Sequence, residues 1–108
     1  MSRWDSREER NKLYRKALGR WGAKNRVAKT AEECAECAAA IVRLQNAPAG
    51  HNSTDNLNSV LGELTDVMIM TEQMELVFEA MTGEMLRLRD AKLDRLEALL
   101  KECGHGEE

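Results

Sequence analysis

Two pairs of acidic side chains are the features of this sequence best suited to chemistry. Glu33 and Glu36 are three residues apart, and so are Glu63 and Asp66. On an α-helix, side chains at this spacing lie one above the other on the same face. Each pair therefore predicts two neighbouring carboxylates on one helix.

Each acidic pair also stands at the start of an apolar stripe. With helical periodicity, Glu33 leads to Cys37, Ala40 and Leu44. The stripe after Glu63 and Asp66 contains Met70, Met74, Val77 and Met81. Partly buried carboxylates facing one another are costly without a cation, and oxygen ligands suit hard ions such as Mg²⁺ or Mn²⁺. The pattern predicts a metal site, although glutamates that simply face solvent are the open alternative.

The elements that position these acids are predicted to be helices. The chain has 108 residues, a single Pro and many Ala, Leu, Glu, Lys, Arg and Met residues, all favourable to helix. Helices are expected at about 6–20, 23–46, 56–81 and 84–103, with breaks near Gly22, after Asn46 and at Thr82 and Gly83. We expect an all-α bundle of about four helices in one domain spanning 1–108.

Apolar positions on these helices predict both a core and an oligomer. The core face expected for the second helix consists of Val27, Ala31, Cys34, Ala38, Ile41 and Val42. The third helix carries an additional stripe of Leu57, Leu61, Leu64 and Met68. On the fourth helix, Met85, Leu88, Leu93, Leu96 and Leu100 suit packing or dimerisation. Because aromatic residues are only 4% of the chain, the core is small, which favours oligomerisation.

Charge and cysteine content indicate the compartment and the class of partner. The formal net charge is −3, and the basic residues near the N-terminus are interspersed with acids, so nucleic-acid binding is not expected. No stretch has the length of a membrane span or the form of a signal peptide. Three cysteines, an odd number, favour reduced thiols and a cytoplasmic location.

The acidic motifs resemble those of a known family. Residues 32–36 (EECAE) match an EExxE motif and residues 63–66 (ELTD) match an ExxD motif, the pair found in MazG-like nucleoside triphosphate pyrophosphohydrolases. Trp21 and Gly22 before the first motif, the segment 66–78 after the second and KLDRL at 92–96 are also similar. The resemblance covers about residues 15–100, and it implies hydrolysis of (d)NTP to (d)NMP and pyrophosphate.

The resemblance also implies roles for individual residues. It makes Glu33, Glu36, Glu63 and Asp66 the Mg²⁺ ligands, with Mn²⁺ as a substitute. It places Glu32 beside them, where it orients a water or a second metal, so that Glu32, Glu33 and Glu36 form the catalytic group. It further implies assembly as a homodimer or homotetramer.

Substrate contacts follow from the same resemblance. Lys29, one turn before the first motif, is placed to meet a phosphate, and Trp21 to stack near the base. Asn25 stands where relatives often carry Gln, which affects base recognition. Lys92 and Arg95 are placed to reach the triphosphate, across a subunit boundary if the site is shared. The competing interpretation is an ordinary solvated side chain for Lys29, Lys92 and Arg95, and a core side chain for Trp21.

Two other functions remain open at this stage. The chain could be a non-catalytic helical-bundle interaction protein with solvated acids. It could also bind zinc through Cys34, Cys37, Cys103 and His105, since CxxC spacing fits a zinc pair. His51 has no partner at ligand spacing and is expected to be exposed. The sequence lacks a GxxxxGK[ST] phosphate loop, which excludes a P-loop enzyme of that type.

Overall fold

A computed structural model of the chain describes residues 1–48 and 53–104, and these residues form helices and loops without any strand. The four α-helices are α1 (Arg7–Trp21), α2 (Ala23–Gln45), α3 (Ser53–Val77) and α4 (Thr82–Glu102). Short 3₁₀ turns occupy Arg3–Asp5 and Glu79–Met81. The predicted all-α class is confirmed for the described residues. None of their helices is both long enough and apolar enough to span a bilayer.

Local signals in the sequence explain where α1 begins and ends. The Ser6 hydroxyl accepts a hydrogen bond from the backbone N–H of Glu9 at 3.2 Å, which satisfies one of the free donors of the first turn. At the other end, Gly22 has φ 88° and ψ 156°, a conformation open essentially to glycine alone. Gly22 therefore ends α1 and allows the chain to turn into α2.

The predicted break before the fourth helix lies in a different place. It was expected at Thr82 and Gly83, but both residues belong to the first turn of α4, and the helical path changes at Phe78–Met81 instead. The chain divides at this point into two compact units, Met1–Val77 and the residues from Phe78 onward. The single domain over 1–108 stays a prediction.

Within the first unit, α2 and α3 form an antiparallel pair. The Arg26 guanidinium, near the start of α2, lies 3.4 Å from the Gln73 side-chain oxygen, near the end of α3. The buried apolar residues of the pair are Cys37 and Ala40 on α2 and Val60 and Met70 on α3. Small residues on α2 allow the helices to approach closely, so the Glu33 face of α2 is brought against α3.

The core face predicted for α2 was wrong. Val27, Ala31, Cys34, Ala38, Ile41 and Val42 are all exposed. The α3 stripe of Leu57, Leu61, Leu64 and Met68 is exposed as well. The prediction favoured the face with the larger apolar side chains, but the smaller side chains around Cys37 permit the closer helix contact. The first unit is thus left with broad apolar faces open to solvent.

Hydrogen bonds and ion pairs around Glu72 connect α1 to the end of α3. The two Glu72 carboxylate oxygens accept hydrogen bonds from Arg10 Nε at 2.9 Å and Nη2 at 3.0 Å, and Tyr14 Oη donates to Oε1 at 2.6 Å. Hydrogen bonding to Arg10 lowers the pKa of Glu72. Burial is the largest cause raising the pKa of Tyr14 to about 12. Arg7 adds an ion pair to Glu75 at 2.9 Å.

Candidate metal centre

Three of the four predicted metal ligands lie together where α2 faces α3. Glu33, Glu36 and Glu63 each offer a carboxylate oxygen, and these oxygens lie within 4.8 Å of one another. α2 supplies two of the carboxylates, one helical turn apart, and α3 supplies the third. Glu33 is buried, Glu63 is partly buried and Glu36 is exposed, so the cluster is open to solvent on the Glu36 side.

The cluster has more negative charge than the nearby protein groups compensate. Glu33 Oε1 and Glu63 Oε1 are both buried and have no hydrogen-bond partner among the described residues. The charge of Glu33, followed by desolvation and the charge of Glu63, raises the pKa of Glu36. Buried polar atoms are nearly always paired in proteins. The arrangement is therefore costly for the protein on its own.

One cation of the chain reaches the edge of this cluster. Lys29 lies one turn before Glu33 on α2. Its Nζ is 3.1 Å from Glu33 Oε2 and 3.2 Å from Glu32 Oε1. Hydrogen bonding to Glu33 is the largest cause raising the pKa of Lys29. The Lys29 contact pairs Glu33 Oε2. Glu33 Oε1 and Glu63 Oε1 have no hydrogen-bond partner among the described residues.

The donor set fits a hard divalent cation. Three carboxylates without nitrogen or sulfur donors are typical of magnesium, calcium and manganese sites. Glu33 and Glu63 belong to different helices, so one ion held by the cluster would contact both α2 and α3. Open space on the Glu36 side leaves room for further ligands such as water or phosphate oxygens.

Asp66 is not part of this cluster. It lies three residues after Glu63 on α3, and its side chain is exposed. Glu32, predicted to support the site, is also exposed and pairs with Lys29 at the edge. The cluster thus brings together Glu33, Glu36 and Glu63, with Lys29 and Glu32 beside them.

The predicted substrate contacts occupy two regions. Trp21 is exposed, and the Arg26 guanidinium lies 4.6 Å from the centre of its ring. The Asn25 side-chain oxygen accepts hydrogen bonds from Arg26 at 3.0 and 2.8 Å. Lys92 and Arg95 are exposed on α4, in the second unit. Their roles in substrate binding stay predictions.

Gln73, which the motifs did not point to, lies near Trp21. Gln73 is one of the most buried side chains, and it contacts Arg26 from α2. The available signal was a polar residue on the apolar stripe between Met70 and Val77 of α3. A buried amide in such a stripe requires hydrogen-bond partners, and Arg26 and Met70 supply them here.

The cysteines do not form a zinc site among the described residues. Cys34 is exposed and Cys37 is buried, although they are only one turn apart. No cysteine belongs to a group of metal-ligating side chains within residues 1–48 and 53–104. His105 and His51, on which the zinc interpretation and the exposure prediction depended, lie outside these residues.

Comparison of the chain with protein-family models, curated proteins and solved structures found no match.

Proposed function

We propose that this chain is a cytoplasmic, MazG-like, Mg²⁺-dependent pyrophosphohydrolase that converts (d)NTP and water to (d)NMP and pyrophosphate. The observation that carries the proposal is the cluster of Glu33, Glu36 and Glu63, with buried oxygens of two different helices left unpartnered. These are residues of the EExxE and ExxD motifs, which the family resemblance implies are metal ligands.

In this proposal the cluster holds the cation and the residues beside it position the substrate. A bound Mg²⁺ neutralises phosphate oxygens and polarises water or phosphorus–oxygen bonds. Glu33, Glu36 and Glu63 would hold the ion. Lys29, beside the cluster, would meet a phosphate oxygen, and Glu32 would orient the attacking water.

Product analysis on a panel of substrates tests this function. Canonical and modified NTPs and dNTPs are incubated with the protein in Mg²⁺ or in EDTA, and pyrophosphate and monophosphate are quantified. We expect pyrophosphate only with Mg²⁺, at least a hundredfold less with Glu36→Gln, and unchanged turnover with Glu8→Gln. Glu8 is an exposed acid on α1, so the control makes the same chemical change outside the cluster.

If no substrate yields pyrophosphate, the proposed hydrolase activity is contradicted. If Glu36→Gln still cleaves the substrate at the wild-type rate, the proposed role of the acidic cluster is contradicted. If no substrate releases pyrophosphate, the exposed apolar faces favour a second candidate function, that of a non-catalytic helical-bundle interaction protein whose acidic side chains are only solvated.

We further propose that the chain assembles as a homodimer or homotetramer through the exposed faces of α2 and α3. The supporting observation is that Leu57, Leu61, Leu64 and Met68 are each about half exposed along one side of α3. A contiguous apolar face of this kind marks an interface more often than free surface.

Light scattering of the purified protein tests the assembly. We expect a mass that is a multiple of the 12.2 kDa chain, reduced by Leu61→Glu and unchanged by Asn58→Glu. Asn58 is an exposed polar residue on the same helix, so it controls for added charge. A monomeric wild-type protein would contradict the proposal.

A further inference from the structure

Positive charge in this chain is concentrated near the N-terminus. Residues 1–29 contain ten Lys or Arg residues and three acids, whereas the remainder of the chain contains six Lys or Arg residues and sixteen acids. Charge asymmetry of this kind is typical of proteins that contact nucleic acids or other polyanions. The proposed metal centre lies between α2 and α3, so it does not explain the part of this charge that lies on α1.

The acids of this basic region lie only at its beginning. Glu8 and Glu9 are in the first turn of α1, where negative charge stabilises a helix N-terminus, and no acid follows before Glu32. Glu9 Oε2 also lies 3.1 Å from Lys12 Nζ, so its charge is paired. The interspersed acids that made nucleic-acid binding unexpected are therefore absent from the second half of α1.

Lys12, Lys16 and Arg20 follow one another along one face of α1. They are four residues apart, so each step advances roughly 6 Å along the helix axis. All three are exposed, whereas the buried Tyr14, which donates to Glu72 of α3, lies on the opposite side of the helix. Lys16 and Arg20 have no carboxylate partner within residues 1–48 and 53–104. A regular row of cations suits an extended polyanion better than a single small anion.

An exposed aromatic ring lies beside this row. Trp4, in the 3₁₀ turn before α1, is 40% exposed, and the Arg3 guanidinium lies 4.4 Å from the centre of its ring. A groove of about 150 Å³ is lined by Trp4, Lys12 and Lys16 together with Leu13. This volume is below the roughly 300–1,000 Å³ of a small-molecule site. An aromatic ring next to a row of cations is instead the combination that binds single strands, whose bases stack on the ring while their phosphates meet the cations.

We propose that the outer face of α1, defined by Trp4, Lys12, Lys16 and Arg20, binds single-stranded nucleic acid. The three cations contact phosphates along the strand, and one base stacks on Trp4. Because these contacts involve only the backbone and the face of a base, binding does not depend on base sequence. The proposal does not rest on the hydrolase activity, since none of the four residues belongs to the acidic cluster.

An anionic membrane fits the outer face of α1 less well. A helix that lies in a membrane interface needs a broad apolar face beside its cations. The side of α1 that carries Tyr14 is already packed toward α3. Next to the row of cations, Trp4 and Leu13 offer little apolar area for burial in lipid. The observations therefore favour a nucleic acid as the polyanion.

Fluorescence anisotropy with labelled oligo(dT) and oligo(U) of about twelve nucleotides tests the proposal. The titrations contain EDTA, so neither hydrolysis nor metal binding contributes. We expect the wild type to bind at least one strand, and the double variant Lys16→Gln/Arg20→Gln to bind about tenfold or more weakly at low salt. The slope of log K against log salt should also fall by about 1.4, because two phosphate contacts are lost.

Two further variants make the test specific. Arg43→Gln/Lys101→Gln removes one Arg and one Lys from exposed positions outside α1, and it should bind like the wild type. Trp4→Leu keeps every cation, so the salt slope should be unchanged, while loss of stacking should weaken binding about fivefold or more. All the substituted side chains are exposed, and circular dichroism checks that each variant is folded.

Four results would overturn the proposal. They are absence of binding to both oligonucleotides, equal loss of affinity in the two double variants, wild-type affinity of Trp4→Leu, and equally tight binding of duplex DNA of the same length. Binding to phosphatidylserine vesicles without binding to either oligonucleotide would assign the surface to a membrane instead. Because no titration requires turnover, the result is independent of whether the protein cleaves a nucleoside triphosphate.

Discussion

At the scale of single residues, Glu33 and Glu63 place negative charge inside the protein at the expense of stability. Each keeps one carboxylate oxygen buried and unpartnered, and the charges of both raise the pKa of the neighbouring Glu36. A purely structural helix contact would place apolar or paired groups here, because bare buried charge destabilises the fold. Their presence is explained if a cation supplies the missing partner.

Removing one of these charges should therefore stabilise the metal-free protein. We expect Glu63→Gln to raise the free energy of unfolding in EDTA by about 1 kcal/mol, or a few degrees in Tm, because it relieves like-charge repulsion. The same variant should lose the Tm increase that Mg²⁺ gives the wild type. Thermal melts with and without Mg²⁺ measure both effects. If Glu63→Gln is less stable than the wild type in EDTA, like-charge repulsion does not destabilise the cluster.

Substitutions in the Glu72 network are expected to have the opposite effect on the free energy of unfolding, because the charges of this network are paired. We expect Glu72→Gln to lower the free energy of unfolding by about 2 kcal/mol, since it leaves Arg10 without its charged partner. Tyr14→Phe, which removes only the hydroxyl donor, should cost about 1 kcal/mol. Urea denaturation at pH 7 checks both values. Equal stability of Glu72→Gln and wild type would show that the network does not hold α1.

The pH dependence of this network has a definite sign. Because the pKa of Glu72 is lowered in the folded state, its contribution is present above the ordinary glutamate pKa and is lost as pH falls through the lowered value. Because the pKa of Tyr14 is raised to about 12, its contribution is present below the ordinary tyrosine pKa and is lost as pH rises toward 12. The difference in stability between wild type and Glu72→Gln should therefore shrink in acid.

At the scale of elements, local chemistry was enough to predict the boundaries of α1 and α2, but not those of α3, which runs over Ser53–Val77 instead of about 56–81. Predicted and observed limits of α1 and α2 agree within one residue, because Ser6, Gly22 and the segment after Gln45 carry ordinary start and stop signals. The packing face of α2 was not readable in this way. Two faces of α2 are apolar, and only the tertiary contact with α3 determines which one is buried.

Gly19 and Gly22 allow the junction of α1 and α2 to be tested with a matched pair. Gly22 has positive φ, so Gly22→Ala should cost roughly 1–3 kcal/mol from backbone strain. Gly19 lies inside α1, and a Cβ there would meet nothing within 4 Å, so Gly19→Ala should stabilise by roughly 0.5–1 kcal/mol. Chemical denaturation of both variants measures the contrast. A stabilising effect of both substitutions would contradict the assigned turn.

At the scale of the whole molecule, the sequence was enough to predict the all-α class, but not which helix faces are buried and which are exposed. Helix-forming composition and a single Pro determine the class. The spacing of the acidic motifs predicted that Glu33, Glu36 and Glu63 would lie together, with Glu33 and Glu63 on the facing sides of α2 and α3 and Glu36 one turn along from Glu33. It also predicted Asp66 as a ligand, but Asp66 is exposed and outside the cluster. Glu36 and Asp66 have the same three-residue offset from Glu33 and Glu63, so the spacing alone did not decide which of them joins the cluster.

Direct titration of Mg²⁺ into the metal-free protein tests the central claim, that the Glu33, Glu36 and Glu63 carboxylates form one cation site. We expect saturable binding of at least one ion per chain by the wild type and by Glu8→Gln. Glu33→Gln and Glu63→Gln should bind at least tenfold more weakly, because each removes a charged ligand from a different helix. Equal Mg²⁺ affinity of wild type and both variants, all folded, would show that the cluster is not the metal site.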